Sequence, residues 1–221
     1  MARRKKEPQG NHRKAIAQAA TKLFSEKGFD NTSMADIAKE SGYSKASLYV
    51  FFKDKDELLA YLTLESMTLL YDNLSNAVNS DKSIDEKYQS ICDKLVEYYE
   101  VHPLYFSLML KTIRIDPSQP NFLDEERDTF NVGQKISELI SSFISFGIDK
   151  GCFRKDLDIF KTEFAFWGML TGVIQLAYNK QEYLESINKI SVKNFLSYSF
   201  EMLYHSIKSK DQCKVVWDLR S

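Results

Sequence analysis

The residues with the clearest chemical capacity lie between positions 32 and 55, where hydroxyl and lysine side chains are closely spaced. Hydroxyl and ammonium groups bind phosphate oxygens, and a lysine also reaches the guanine acceptors in the DNA major groove. Lys45, which follows Ser44, has a long cationic side chain. Ala46 is small enough to contact a thymine methyl. These residue types predict a DNA-contact surface. Its candidate members are Thr32, Ser33, Ser44, Lys45, Ala46, Ser47, Tyr49, Lys53 and Lys55.

Two short helices joined by a tight turn are predicted to position these side chains. Ser33 and Asp36 have the spacing of a reciprocal helix cap. Gly42 ends this first helix, because glycine adopts the left-handed backbone of a helix terminus at low cost. Ser44 then caps the second helix, in which Leu48 is predicted to enter the core. The pattern is that of a helix-turn-helix motif.

The second helix contains no arginine, asparagine or glutamine. Direct hydrogen-bond readout of base edges is therefore expected to be sparse, and DNA shape and dimer spacing are expected to contribute to specificity. Lys55 follows Lys53 and lies in the first turn of the next helix, where the free N–H groups of a helix start favour a phosphate.

The stretch from Thr32 to Leu59 resembles the tetracycline-repressor (TetR) family of bacterial transcription regulators. The resemblance rests on fixed offsets among Thr32, Ile37, Ala38, Gly42, Ser44, Leu48, Tyr49, Phe52, Lys55, Leu58 and Leu59. The chain departs from the family pattern at Ala46, where glycine is usual, and at Phe51, where tyrosine or histidine is usual. The second departure removes a polar group that family members often direct at a DNA phosphate.

An all-α chain of about nine helices is predicted. It comprises an N-terminal three-helix helix-turn-helix DNA-binding domain and a C-terminal helical ligand-binding and dimerisation domain. The expected boundaries are a basic flexible tail at 1–10, the DNA-binding domain at 11–55, a linking helix at 55–78, the second domain at 79–208 and a C-terminal tail at 209–221. Four prolines and eight glycines in 221 residues fit such a helical chain.

The charge of the chain is unevenly distributed. Residues 1–60 hold 12 Lys/Arg and 8 Asp/Glu, although the whole chain holds 30 and 31. The cationic end is therefore the end that carries the helix-turn-helix motif, as a phosphate-binding module requires. No apolar run approaches the roughly 20 residues of a membrane span, and no signal peptide is evident, so a cytoplasmic protein without a membrane partner is expected.

The cysteines and histidines show no catalytic or metal-binding spacing. Cys92, Cys152 and Cys213 are far apart, and so are His12, His102 and His205. Cys92 and Cys152 are interpreted as small buried apolar residues. No enzyme activity, cofactor or metal is therefore predicted.

The helical second domain is rich in aromatic residues, most of which are needed for its core. The family resemblance implies a small-molecule pocket with an apolar or aromatic effector of unknown identity. The candidate lining residues are Tyr98, Phe106, Met109, Phe143, Phe146 and Trp167. The last two helices are expected to form a homodimer interface, and Gly168 and Gly172 would let a neighbouring helix approach closely.

The predicted function is a DNA-binding transcriptional regulator, a repressor that binds a near-palindromic operator on double-stranded DNA as a dimer and is released by its effector. Two alternatives stay open at the level of sequence. One is a nucleoid- or division-associated DNA-binding protein of the same fold without an effector, and the other is an enzyme with a helical cavity. The operator, the effector, the regulated genes, the sign of regulation and the number of dimers per operator are not encoded in any motif.

Overall fold

The computed structural model describes residues 9–112 and 114–209, and it confirms the all-α prediction for this part of the chain. Residues 1–8 and 210–221, which hold most of the two predicted tails and Cys213, lie outside the described residues. The helices are α1 (Gln9–Lys27), α2 (Met34–Ser41), α3 (Lys45–Phe51), α4 (Lys55–Val78), α5 (Ile84–Val101), α6 (Pro103–Met109), α7 (Asp124–Asp149), α8 (Ile159–Asn179) and α9 (Val192–Ile207). A single π-helical turn, Tyr183–Ile187, precedes α9.

Several helices begin where the sequence places a cap. The Ser83 N–H donates to Glu86 before α5 at 3.0 Å, and the Glu86 N–H returns a bond to the Ser83 hydroxyl at 3.3 Å. Pro103 occupies the first position of α6, where its missing N–H costs no hydrogen bond. Asp158 accepts from the Lys161 N–H at the start of α8. These side chains satisfy N–H groups that a helix start leaves unpaired.

Two helices begin later than the sequence predicts, and the backbone explains why. We expected α7 to start at Asn121 and α9 at Ile190. Asn121 has φ 59° and Lys189 has φ 56°, in the left-handed region that a right-handed helix excludes. The helices therefore start at Asp124 and at Val192, which follows the cap residue Ser191.

The described chain divides into two compact units. The first contains residues up to 69 together with 102–132, and the second contains 70–101 together with 133–209. α4 and α7 each contribute to both units, and α6 belongs to the first. The functional boundaries at 55 and 79 stay a prediction, since compactness alone does not locate them.

The core of the first unit lies where the helical periodicity of α1 and α2 predicts it. α1 contributes Ile16, Ala20, Leu23 and Phe24, and Leu48 of α3 is fully buried among them. α6 adds Leu108 to the same core. The short helices of the motif are thereby held by apolar contacts rather than by their own limited helix-forming tendency.

The core of the second unit is aromatic. Tyr88 of α5 lies 4.6 Å from Tyr204 of α9 between ring centroids, and its hydroxyl donates to the Phe200 carbonyl at 3.1 Å. Cys92 is fully buried there, as predicted, whereas Cys152 is only half-buried. Gly147 of α7 lies so close to the Phe153 ring that an added Cβ would be 2.1 Å from Cδ2.

Phe130, which was predicted to face inward, is exposed, and so are Tyr198 and Met202. Phe130 of α7 is displaced from the core by Thr129, whose hydroxyl bonds to the Glu125 carbonyl within the helix. Tyr198 and Met202 of α9 are 67% and 55% exposed, because Leu196, Phe200 and Leu203 occupy the buried face of that helix. Among the described residues, no helix is long and apolar enough to cross a membrane.

Candidate nucleic-acid interface

The start of α2 is fixed by the predicted pair of Ser33 and Asp36. The Asp36 N–H donates to the Ser33 hydroxyl oxygen at 3.2 Å, and the Asp36 carboxylate accepts from the Ser33 hydroxyl at 2.6 Å and the Ser33 N–H at 2.9 Å. These two donors hold the pKa of Asp36 below its ordinary value of 3.8. α2 therefore begins at a defined residue, with Ser33 exposed at its tip.

The turn between α2 and α3 also follows the sequence prediction. Gly42 has φ 74°, a left-handed conformation that a residue with a Cβ rarely adopts, and it closes the C-terminus of α2. Ser44 then caps α3 by accepting from the Ser47 N–H at 3.0 Å. The Tyr43 N–H bonds to the Ala38 carbonyl at 3.0 Å. The turn therefore fixes the direction in which α3 leaves α2.

One face of α3 is exposed, and it carries three of the nine predicted contact residues. Lys45, Ala46 and Tyr49 are exposed, whereas Leu48 is buried on the opposite face. Val50 is also exposed, at 77%, although we did not predict it as a contact residue. A helix of seven residues contains too few apolar positions for periodicity to define its faces, so only the structure reveals Val50.

A concavity of about 410 Å³ opens beside this face. It brings together five of the predicted contact residues from four places in the sequence. Its lining residues are Asp30, Asn31, Thr32, Ser33, Met34, Ala35, Lys45, Tyr49 and Lys55. Met34 and Ala35 open α2, and the first N–H groups of a helix lack intrahelical acceptors. With two lysines against one aspartate, the cavity has the donors and the charge to hold a phosphate.

Lys55 is oriented toward this cavity by the loop that precedes α2. Its ammonium donates to the Phe29 carbonyl at 2.9 Å and lies 4.4 Å from the centroid of the Phe29 ring. A cation held over an aromatic face and bonded to a carbonyl has restricted freedom. The side chain is thus positioned in advance, and its charge stays at the cavity wall.

Thr32 lines the cavity and also makes a hydrogen bond within the protein. Its side chain is buried, and the hydroxyl donates to the Gly28 carbonyl at 2.8 Å. It therefore joins the end of α1 to the start of α2 and supports the cavity from below. Ser47 is half-buried and paired with Ser44 at 2.8 Å, while Lys53 is exposed outside the cavity.

Phe51 packs within the protein instead of offering a polar group outward. Its ring stacks on His12 of α1 at 5.3 Å between centroids and meets the Tyr43 ring edge-on at 6.1 Å. His12 and Tyr43 are themselves joined by a hydrogen bond of 2.6 Å. The aromatic replacement at position 51 therefore fastens α1 to the C-terminal end of α3.

Two of the predicted effector-pocket residues share a cavity in the second unit. In the second unit, Phe143 and Phe146 line a concavity of about 410 Å³ that also contains Lys87 and Lys135. Tyr98 is buried and Trp167 is half-buried in the same unit, and neither lines this concavity. Phe106 and Met109 are buried in the first unit. Among the described residues, no group of His, Cys, Asp or Glu is placed to hold a metal.

The outward face of α8 is apolar and contains small residues. Phe160 and Phe164 are 61% and 60% exposed, and Leu176 is 50% exposed. Gly168 and Gly172 lie between them, and a Cβ added at either glycine would meet nothing within 4 Å. This face has room for a closely packed helix that the described chain does not itself supply.

Comparison with known proteins agrees with this geometry. Residues 16–62 match the family model described as "Bacterial regulatory proteins, tetR family". The uncharacterised HTH-type transcriptional regulator YfiR of Bacillus subtilis is 25% identical over 177 residues, which are 78% of this chain and 82% of that protein. The fatty acid metabolism regulator protein of the same organism is 22% identical over 151 residues, 65% of this chain and 72% of that protein.

A solved structure shares the fold along most of the chain. The ketosteroid transcriptional regulator KstR2 of Mycobacterium tuberculosis superposes with a TM-score of 0.66 over 90% of this chain and 95% of that one, at 19% identity. The matched family model covers α2 and α3 with their cap residues, the turn and the start of α4. Residues 16–62 are therefore a DNA-binding region of the TetR family of bacterial transcriptional regulators.

Proposed function

We propose that this regulator is a repressor that binds a near-palindromic operator as a homodimer and leaves it when a small apolar or aromatic effector binds. The observation that carries the proposal is the exposed face of α3 beside a cavity lined by Lys45, Tyr49 and Lys55. The chain is a regulator rather than an enzyme, as its named relatives are. We place it in the cytoplasm, where the DNA of a bacterium lies.

In the proposed complex, α3 enters the major groove while the cavity receives a backbone phosphate. The N–H groups of Met34 and Ala35 donate to the phosphate, and the ammonium groups of Lys45 and Lys55 neutralise it. The phosphate contact fixes the register of the protein on DNA, and the outward side chains of α3 then meet base edges.

The apolar outer face of α8 supports the homodimer. A symmetric pair would place Gly168 and Gly172 of one protomer against the same face of the other, so that Phe160 and Phe164 leave water. The exposed Tyr198 and Met202 of α9 extend the apolar surface available for that contact. Two recognition helices related by a two-fold axis then meet half-sites about 34–36 Å apart, or somewhat more.

The effector is proposed to bind in the second compact unit. Tyr98, Phe143, Phe146 and Trp167 belong to the second unit, and we propose that the pocket for an apolar or aromatic ligand lies in that unit. The chain is similar to a fatty acid metabolism regulator and to a ketosteroid transcriptional regulator, and this similarity supports an apolar ligand class. α4 contributes to both compact units, so a ligand-induced shift of α4 would change the separation of the recognition helices.

A selection experiment tests the DNA-binding step. The full chain is mixed with a pool of random duplexes at moderate salt, and the retained DNA is sequenced over successive rounds. We expect enrichment of an inverted repeat, with weaker retention by Lys45→Ala. A pool that stays random, or an enriched sequence without two-fold symmetry, would contradict the proposed operator. Binding throughout the chromosome without response to any small molecule would instead favour an effector-free architectural protein.

A further inference from the structure

The exposed face of α3 consists of two parallel strips of different chemistry. Lys45 and Tyr49 lie four residues apart, and Ala46 and Val50 lie four residues apart beside them. Residues at this spacing occupy the same face of a helix. The first strip offers an ammonium and a phenol, whereas the second offers only methyl groups. Val50 is the most exposed large apolar side chain of the helix, at 77%, against 45% for Tyr49.

Folding does not account for this apolar strip. Leu48 and Phe52 are fully buried, and Phe51 stacks on His12, so other residues of the segment provide its packing. Val50 is also a β-branched residue, which an exposed helix position does not favour. The strip is continuous with the Lys45–Tyr49 strip that the proposed function places in the major groove.

We propose that Ala46 and Val50 form an apolar reading strip that recognises thymine methyl groups in each half-site. The thymine C5-methyl is the one apolar group that the bases present in the major groove, and it distinguishes thymine from cytosine at the same position. Contact between this methyl group and the methyl groups of alanine or valine is favourable, because it removes apolar surface of both the protein and the DNA from water. The inference rests on the proposed function, since it assigns a base preference to the same surface.

The spacing of the strip predicts the spacing of the thymines. Four residues of α-helix span about 6 Å along the axis, and successive base pairs are about 3.4 Å apart. Ala46 and Val50 therefore meet thymines one or two base steps apart. Because α3 has no arginine, asparagine or glutamine, these methyl contacts carry specificity that hydrogen bonds supply in other recognition helices.

The test removes single methyl groups from the DNA. In the duplex enriched by the wild-type chain, each thymine of one half-site is replaced in turn by deoxyuridine, which keeps the pairing edge and the O4 acceptor. We expect the substitution to lower affinity at one thymine, or at two thymines that are one or two base steps apart. The expected loss is about four-fold at each, because one methyl-sized contact is lost. Deoxyuridine placed between the half-sites is the DNA control and is expected to have no effect.

Two protein variants locate the contact. With Val50→Ala, the thymine-to-uracil penalty is expected to shrink at one position only, because the partner methyls have been removed. Val101→Ala truncates a valine of α5 that is 62% exposed and is expected to leave every penalty unchanged. Uracil substitution without any effect on the wild-type chain, or penalties equal in wild type and Val50→Ala, would overturn the inference while operator binding stood. Failure to enrich any duplex would instead refute the proposed function itself.

Discussion

The guanidinium of Arg13 in α1 donates to the carboxylate of Glu125 in α7 at 2.7 Å, across 112 positions of sequence. The same guanidinium lies 4.5 Å from the ring centroid of Phe52 and 4.7 Å from that of Tyr61. Phe52 closes the C-terminus of α3. The Arg13 side chain thereby connects α1, the C-terminal end of α3 and the first turn of α7, all within the first compact unit.

Removing Arg13 is expected to destabilise this unit. Arg13→Met keeps an apolar side chain of similar length but leaves Glu125, whose side chain is only 15% exposed, without its cation. We expect the free energy of unfolding in urea to fall by about 1–3 kcal/mol. Glu125→Gln, which retains an acceptor for Arg13, is expected to cost less. Equal stability of Arg13→Met and wild type would show that the contact contributes nothing to folding.

The cap at the start of α2 is expected to depend on pH in a defined direction. Because the Ser33 hydroxyl and N–H hold the pKa of Asp36 below 3.8, the stabilisation is fully present above that value. It is lost as the pH falls through the lower pKa of the folded state. Ser33→Ala is expected to lower the free energy of unfolding by about 1 kcal/mol at neutral pH and to raise the pKa of Asp36.

A carbon-13 NMR titration of the carboxyl groups measures this change. Asp158 serves as an internal control, because its pKa is lowered by the backbone N–H and side chain of Lys161 in another helix. Its titration is expected to be the same in both proteins. An unchanged Asp36 curve in Ser33→Ala would mean that the hydroxyl does not stabilise the carboxylate.

Replacing Lys55 with alanine separates a DNA contact from a purely structural contact. If Lys55 neutralises a phosphate, Lys55→Ala weakens all duplexes by a similar factor and reduces the slope of log affinity against log salt by about one unit. Lys94→Ala removes an exposed lysine of α5 and is expected to leave the slope unchanged. A loss of thermal stability without any change in the salt dependence of DNA binding would show that Lys55 acts only through its contact with Phe29.

Substitutions at two glycines are expected to change different properties. Gly168→Leu is expected to change dimerisation, and Gly147→Ala is expected to change folding stability. Gly168→Leu places a bulky side chain on the open face of α8, so the chain is expected to remain folded while its dimer dissociates in sedimentation velocity. Gly147→Ala adds only a methyl group, yet it would overlap the Phe153 ring and is expected to cost about 1–3 kcal/mol of folding stability.

A control for the dimer measurement adds leucine to a different exposed surface. Glu97→Leu in α5 is suitable, because the Glu97 side chain is 60% exposed. It is expected to leave the association state unchanged. If the Gly168→Leu protein is fully dimeric, α8 does not form the dimer interface.

Local chemistry made much of the first unit predictable. A helix cap needs particular side chains at fixed offsets, so the caps formed by Ser33, Asp36 and Ser44 could be predicted from the sequence. The left-handed backbone at Gly42 could be predicted in the same way. The long apolar repeat of α1 also predicted its buried face. These features depend on residues within about one turn of each other.

Contacts between distant residues were not predictable in the same way. The tether of Lys55 to Phe29 and the pairing of Arg13 with Glu125 depend on how helices pack, which no short pattern encodes. Val50 escaped prediction because α3 has fewer than two full turns. The effector-binding residues were the hardest to predict, because the sequence does not distinguish a buried aromatic residue of the core from one that lines a pocket.

The central claim is that two copies of α3 engage one duplex through their outward faces. Sedimentation equilibrium of the chain with the enriched duplex tests it most directly, because the mass of the complex counts the chains bound. We predict two chains, or a multiple of two, for each duplex, and a loss of the complex in Gly168→Leu. A single chain bound to each duplex, or no complex at moderate salt, would contradict the account.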